Sequence, residues 1–200
     1  IQLVLNLVEP QSSGIGGGAF LLHWDASTRA LVSLDGRETA PAAAVPERFL
    51  GPDGEPMEFM AAVVGGRSVG VPGTLRLLEA AHERWGRLPW DRLFEPAVRL
   101  AEDGFRVSPR LAGLLAQEEA LGDDPRARAV FFELDGTPKA AGALLTNPAF
   151  ARTLRRVAAE GSDAFYSGEV ARDIVATVAG HPTNPGDVTL ADLSGYQVLE

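Results

Sequence analysis

The chain has 200 residues, 46% hydrophobic and 22% charged, a size and balance that suit one globular domain with a real core. Its 18 basic and 27 acidic residues leave a net charge of -9, which argues against nucleic acid or an anionic membrane surface as a partner. With no cysteine, it can have no disulfide, thiolate metal site or cysteine nucleophile.

Residues 1 to 8 are nearly all apolar and fit either a buried helix or a buried strand, stopped by Pro10. A glycine-rich run follows, Ser12-Ser13-Gly14-Ile15-Gly16-Gly17-Gly18. Residues 18 to 24 and 30 to 35 are apolar, with Asp25, Ala26, Ser27 and Thr28 between them, which predicts a β-hairpin. The stretch from Ala19 to Trp24 is apolar on both faces up to His23, so it reads as a central strand covered on both sides. Just past the hairpin comes Leu34-Asp35-Gly36-Arg37-Glu38-Thr39-Ala40-Pro41.

The pattern then turns helical. Leu77, Leu78, Ala81 and Trp85 share one helix face, with Thr74 as the expected N-cap and Gly86 past the end. Leu93, Phe94, Ala97, Val98 and Ala101 form a second face, ended by Gly104. Ser108-Pro109 and Asn147-Pro148 each place a capping side chain before a proline at the first helical position. Ser167 reads as the cap of a helix carrying Val170, Ile174, Val175 and Val178. Thr189 to Asp192 resembles a capping box. Asp135-Gly136 predicts a turn, and residues 51 to 56, 122 to 128 and 180 to 188 read as loops. No apolar run is long enough for a membrane-spanning helix, and no signal peptide is visible.

The chemistry-bearing residues are few. His23, His82 and His181 stand at no spacing that builds a metal site. No Gly-x-Ser-x-Gly elbow is present, and Ser12 and Ser13 fit tight packing better than nucleophilic attack. The glycine run lacks the Lys-Ser/Thr of a phosphate loop and leads into a strand rather than a helix. Arg37, taken alone, reads as a surface ion-pair partner of Asp35 or Glu38. A guanidinium in a turn after a strand also suits a carboxylate ligand.

The ordered motifs carry a resemblance. Asn6 to Gly18, the hairpin, and Asp35-Gly36-Arg37-Glu38-Thr39-Ala40-Pro41 are similar to the γ-glutamyltransferase family. So are Ser68-Val69-Gly70-Val71-Pro72-Gly73-Thr74, Ala97 to Phe105, Asn147-Pro148, Ala164-Phe165-Tyr166-Ser167-Gly168, and Leu190-Ala191-Asp192-Leu193 with Tyr196. The resemblance implies an α+β fold: part of an N-terminal-nucleophile hydrolase αββα sandwich, with an antiparallel hairpin followed by a mostly helical region. The expected organisation is a single-domain piece of the large subunit, with residues 1–50 contributing to the sheet and 51–200 mainly helical. The implied reaction moves a γ-glutamyl group from glutathione or a related donor to water or an amine, through a threonine that opens the small subunit. That threonine lies outside this chain, so no catalytic residue is expected in it and the chain alone is expected to be inactive.

Of the family's substrate contacts only the arginine carries over, onto Arg37, where it would hold the α-carboxylate of the donor. The implied partners are the γ-glutamyl substrate and the small subunit of the same precursor, with self-association of the isolated piece; no cofactor or metal is implied. Two alternatives stand beside this reading: an acylase of the same fold acting on cephalosporin side chains or poly-γ-glutamate, and a non-catalytic binding module. A periplasmic or extracellular location is implied by resemblance alone, and a cytoplasmic one stays open.

Overall fold

The computed structural model describes every residue except Glu119. In chain order, α1 (Gln2–Val8) leads through the glycine run to the hairpin strands β1 (Ala19–Asp25) and β2 (Ala30–Gly36). Next come α2 (Phe59–Val63), a 3-10 turn at Gly66–Ser68, α3 (Thr74–Trp85) and α4 (Glu95–Asp103). The two-residue strand β3 (Phe105–Arg106) precedes α5 (Pro109–Leu115) and α6 (Pro125–Phe131), and β4 (Leu144–Leu145) precedes α7 (Pro148–Glu160). Helices α8 (Asp163–Tyr166), α9 (Gly168–Ala179) and α10 (Leu190–Gly195) complete the order. Both strand pairs are antiparallel. No helix among the described residues is long and apolar enough to cross a membrane.

Several helix starts follow the sequence signals. Ser108 accepts from the Leu111 amide, Asn147 from the Phe150 amide, and Thr189 and Asp192 form the reciprocal capping box. Other signals resolve differently. Thr74 is the first helical residue rather than the cap; Gly73 takes that place, and the Gly17 carbonyl accepts the amides of Gly73 and Thr74 at 2.9 and 3.1 Å. Ser167 does stand at the start of α9, but its hydroxyl donates to the Asp163 carbonyl instead of capping the helix. Residues 122 to 128 are not a loop. Asp124 caps α6 by accepting the amides of Arg126 and Ala127, and Pro125 opens the helix. This Asp-Pro pair works as the Ser-Pro and Asn-Pro pairs do, and a composition-based loop signal hides it.

The chain divides into two compact units, residues 1–14 with 88–159 and residues 15–87 with 160–200. In the first, α1 packs on α4; α1 buries Leu3 and Leu7, and α4 buries Ala97, Val98 and Ala101. Gly104 ends α4 at φ 87°, a left-handed conformation open to glycine, and Leu144 and Thr146 close over it. Val107, Leu111, Leu115 and Leu145 form a tight cluster beneath Phe105 and Phe131. Trp90 donates its indole N–H to the Val157 carbonyl at 3.0 Å.

In the second unit, α3 lies against the hairpin while α8, α9 and α10 pack on one another. The hairpin's inner face buries Leu34, and Gly36 approaches Leu77 so closely that a Cβ there would come within 2.5 Å of the Leu77 Cβ. The expected central strand is not one in this chain. Among the described residues β1 pairs only with β2, and its other face carries the exposed Phe20, Leu22 and Trp24.

Candidate functional site

Two glycines pack closely against the turn that carries Arg37. A Cβ on Gly18 would lie 2.6 Å from the Arg37 Cα and 2.7 Å from the Glu38 nitrogen. A Cβ on Gly73 would lie 2.2 Å from both the Gly36 carbonyl and the Tyr196 hydroxyl. Backbone meets backbone here because side chains are missing. Gly18 therefore packs against the Arg37 turn, and Gly17 supplies the acceptor for the first amides of α3.

The Arg37 backbone is held from both sides. Its amide donates to Asp35 Oδ1 at 2.9 Å, and its carbonyl accepts the Tyr196 hydroxyl at 2.7 Å. Two residues on, Thr39 and Val71 exchange backbone hydrogen bonds in both directions. The C-terminal segment braces the same stretch, since Leu199 bridges Asp35 and Asp192 Oδ1 accepts the Ala42 amide at 2.9 Å.

The Arg37 side chain, in contrast, reaches outward. The guanidinium lies 3.2 Å from Glu38 Oε2, 5.9 Å from the Phe20 ring centre, and is about half exposed. Of the two ion-pair partners the sequence offers, only Glu38 takes that role; Asp35 spends its carboxylate on the backbone. Five N–H donors in a planar fork leave capacity for a second carboxylate beyond Glu38.

Tyr196 enters the sequence reading only as part of a family-like motif, with no role assigned to it at the site. It is buried, its ring stacks on Tyr166 with centres 6.0 Å apart, and burial followed by the charges of Asp35 and Glu38 raises its pKa. Tyr166 is anchored in turn by donating to the Pro72 carbonyl at 2.9 Å and by the Arg76 guanidinium 4.5 Å above its ring. The sequence offered two pointers, its place in the family-like motif with Leu190 to Leu193 and its position just after a capped short helix.

The remaining candidates lie elsewhere. Ser13 accepts the side-chain amides of Gln2 and Asn6 at 2.6 and 2.7 Å, so its hydroxyl serves packing at the end of α1. His23 stacks on Trp85 at 3.9 Å, and His181 Nδ1 accepts the Asn184 amide.

Residues 1–200 match the family model described as gamma-glutamyltranspeptidase. The chain is 39% identical to scoloptoxin SSD14 of Scolopendra dehaani and 37% identical to the glutathione hydrolase proenzyme of Bacillus subtilis, with 98% and 99% of this chain aligned. It spans about a third (33%) of the length of each of these relatives. The crystal structure of Helicobacter pylori gamma-glutamyltranspeptidase superposes with a TM-score of 0.92 at 31% identity, over 99% of this chain and 56% of that one. The α+β fold is thus the one the resemblance implied, that of the corresponding part of an N-terminal-nucleophile hydrolase.

Proposed function

The chain belongs to the γ-glutamyltranspeptidase family, and from that premise we propose that it supplies the carboxylate-binding side of an acyl-transfer site. The donor in this reading is glutathione or a related γ-glutamyl compound, and the acceptor is water or an amine. The observation that carries it is the mounting of Arg37, whose backbone is tied at both its amide and its carbonyl while the guanidinium stays half exposed. The backbone that carries this cation is positioned before substrate arrives, so little backbone entropy is lost when a carboxylate binds. A bidentate, charge-assisted contact to the donor's α-carboxylate contributes about 1.5–3 kcal/mol.

The rest of the scheme comes from the family. The nucleophile is a small-subunit threonine activated by its own α-amine, which needs no metal or cofactor. The chain's partner is that small subunit, the chain is one piece of the large subunit, and alone it does not turn over substrate. An acylase would use Arg37 in the same way only where its acyl group bears a free carboxylate.

The test uses the full-length precursor and two anilides. One carries a γ-glutamyl group; the other, 4-aminobutyryl, is the same amide without the α-carboxylate. Arg37→Ala is expected to lower kcat/KM for the first by about ten- to a hundredfold and to leave the second nearly unchanged. Wild-type kcat/KM for the γ-glutamyl donor in Arg37→Ala overturns the reading.

A further inference from the structure

We propose that the Tyr196 hydroxyl is a positioning group for Arg37, setting the register in which the guanidinium meets the donor's carboxylate; the inference rests on the carboxylate-binding reading of Arg37. Three observations converge on it. The hydroxyl donates to the carbonyl of Arg37 itself, at 2.7 Å. Gly73 is bare where a Cβ would lie 2.2 Å from that hydroxyl, so the backbone there leaves room for the contact. The ring is fixed by its stack on Tyr166, which Arg76 and the Pro72 carbonyl hold in place.

The alignment has a mechanical consequence. The Arg37 amide is fixed by a carboxylate on its own strand, through Asp35. The carbonyl, with no β2 neighbour beyond Gly36, is fixed by Tyr196 from 159 positions away. Without the hydroxyl, the Arg37 carbonyl loses its side-chain partner, and the backbone that carries the guanidinium is set less tightly between the Asp35 contact and the Thr39–Val71 pair. A planar fork is sensitive to that setting because both of its N–H donors must reach one carboxylate. Burial keeps the phenol protonated, so the donor is present throughout the neutral range.

Tyr196→Phe removes one oxygen and keeps the ring stack. The measured quantity is the ratio of kcat/KM for γ-glutamyl anilide to that for 4-aminobutyryl anilide, taken on one preparation of the processed full-length enzyme. That ratio is unaffected by any misfolded fraction. Tyr196→Phe is expected to lower it about fivefold, the equivalent of ~1 kcal/mol for one hydrogen bond. In an Arg37→Ala background the same change is expected to have no further effect on the ratio.

An equal loss on both anilides marks a purely structural role for Tyr196 and overturns the proposal, as does an unchanged ratio. The two readings fail separately. If Arg37→Ala leaves the ratio at its wild-type value, the carboxylate-binding reading itself is wrong. If Arg37→Ala collapses the ratio while Tyr196→Phe leaves it intact, only the positioning role falls.

Discussion

Glu79 on α3 accepts the backbone N–H of Ser162 at 2.7 Å and also its hydroxyl proton, which ties α3 to the residue before α8. Ser162 is completely buried, and its hydroxyl oxygen also accepts from Arg76 at 2.7 Å. Arg76 in turn pairs with Asp163 at 2.7 Å. A buried donor deprived of its acceptor bears its full desolvation cost. Glu79→Ala strands two such donors and is expected to destabilise the fold by ~3 kcal/mol, roughly 6–12 °C in Tm for a chain of this size. Glu79→Gln keeps one acceptor and should lose about half as much. Thermal unfolding of both variants checks the order; equal stability of Glu79→Ala and wild type would refute it.

Two glycines of one run should behave in opposite ways. Gly16 has no atom within 4 Å of a Cβ built there, whereas Gly18 meets the Arg37 Cα at 2.6 Å. Gly16→Ala is expected to leave stability within about 0.5 kcal/mol of wild type. Gly18→Ala forces two backbone segments apart and is expected to cost about 1–3 kcal/mol or more. Denaturant titrations at matched m-values separate the two. Similar losses at both positions would mean that the run acts through chain flexibility rather than close approach.

Acid should loosen the brace around α10. The Asp192 carboxyl is held below the ordinary aspartate range, first by the Thr189 hydroxyl and then by the Ala42 amide. A depressed folded-state pKa stabilises at pH values above the unfolded one, about 3.9, and that contribution is lost as pH falls through the folded value. Asp192→Asn should therefore be less stable than wild type at pH 7, by ~1 kcal/mol on the scale of a helix cap. The gap should close below about pH 4. Tm measured from pH 7 to pH 3 tests the sign, and a gap that widens on acidification would contradict it.

The outer face of the hairpin should make the isolated 200-residue chain associate. Phe20, Leu22, Trp24 and Leu31 are each more than half exposed and lie on one face, Trp24 opposite Leu31 and Leu22 opposite Ser33. Contiguous exposed apolar surface beside an unpaired strand edge favours self-pairing. Light scattering at rising concentration is expected to show dimers or larger species, and Leu22→Lys is expected to shift the population towards monomer. A wild-type chain that stays monomeric at high concentration would count against this.

Arg37→Lys in the full-length protein should behave almost as badly as removal of the side chain. It keeps the charge but replaces a planar fork by a compact ammonium. If the contact has equal strength in ground and transition states, KM rises and kcat holds; if it also aligns the scissile amide, kcat falls too. Steady-state kinetics with γ-glutamyl anilide distinguish these cases. A lysine variant with wild-type kcat/KM would show that charge alone suffices and that the fork geometry is idle.

The local grammar of the chain was readable. Ser108-Pro109, Asn147-Pro148 and the Thr189–Asp192 box act where their types and spacing place them, because a cap is a contact within three residues. The hairpin was readable for the same reason, its register running from Ala19 opposite Gly36 to Asp25 opposite Ala30. Asp124-Pro125 was missed because the neighbouring Gly and Asp residues have the composition of a loop. Thr74 was misplaced because the acceptor for the first amides of α3 is Gly17, distant in sequence.

For the candidate site, the sequence by itself determined which arginine to propose, the turn that carries it and, through its ordered motifs, the family. Only the tertiary structure decided how that arginine is mounted. Asp35 and Glu38 stand beside Arg37 with equal claims in the sequence, yet one holds the backbone and the other the guanidinium. Tyr196 reaches the Arg37 carbonyl across 159 positions, and Gly73 leaves the space for it to do so. Neither the reach of Tyr196 nor the space at Gly73 is encoded in local pattern. Each depends on where packing brings distant segments together, and a hydrogen bond forms only when that packing leaves donor and acceptor within about 3 Å of each other.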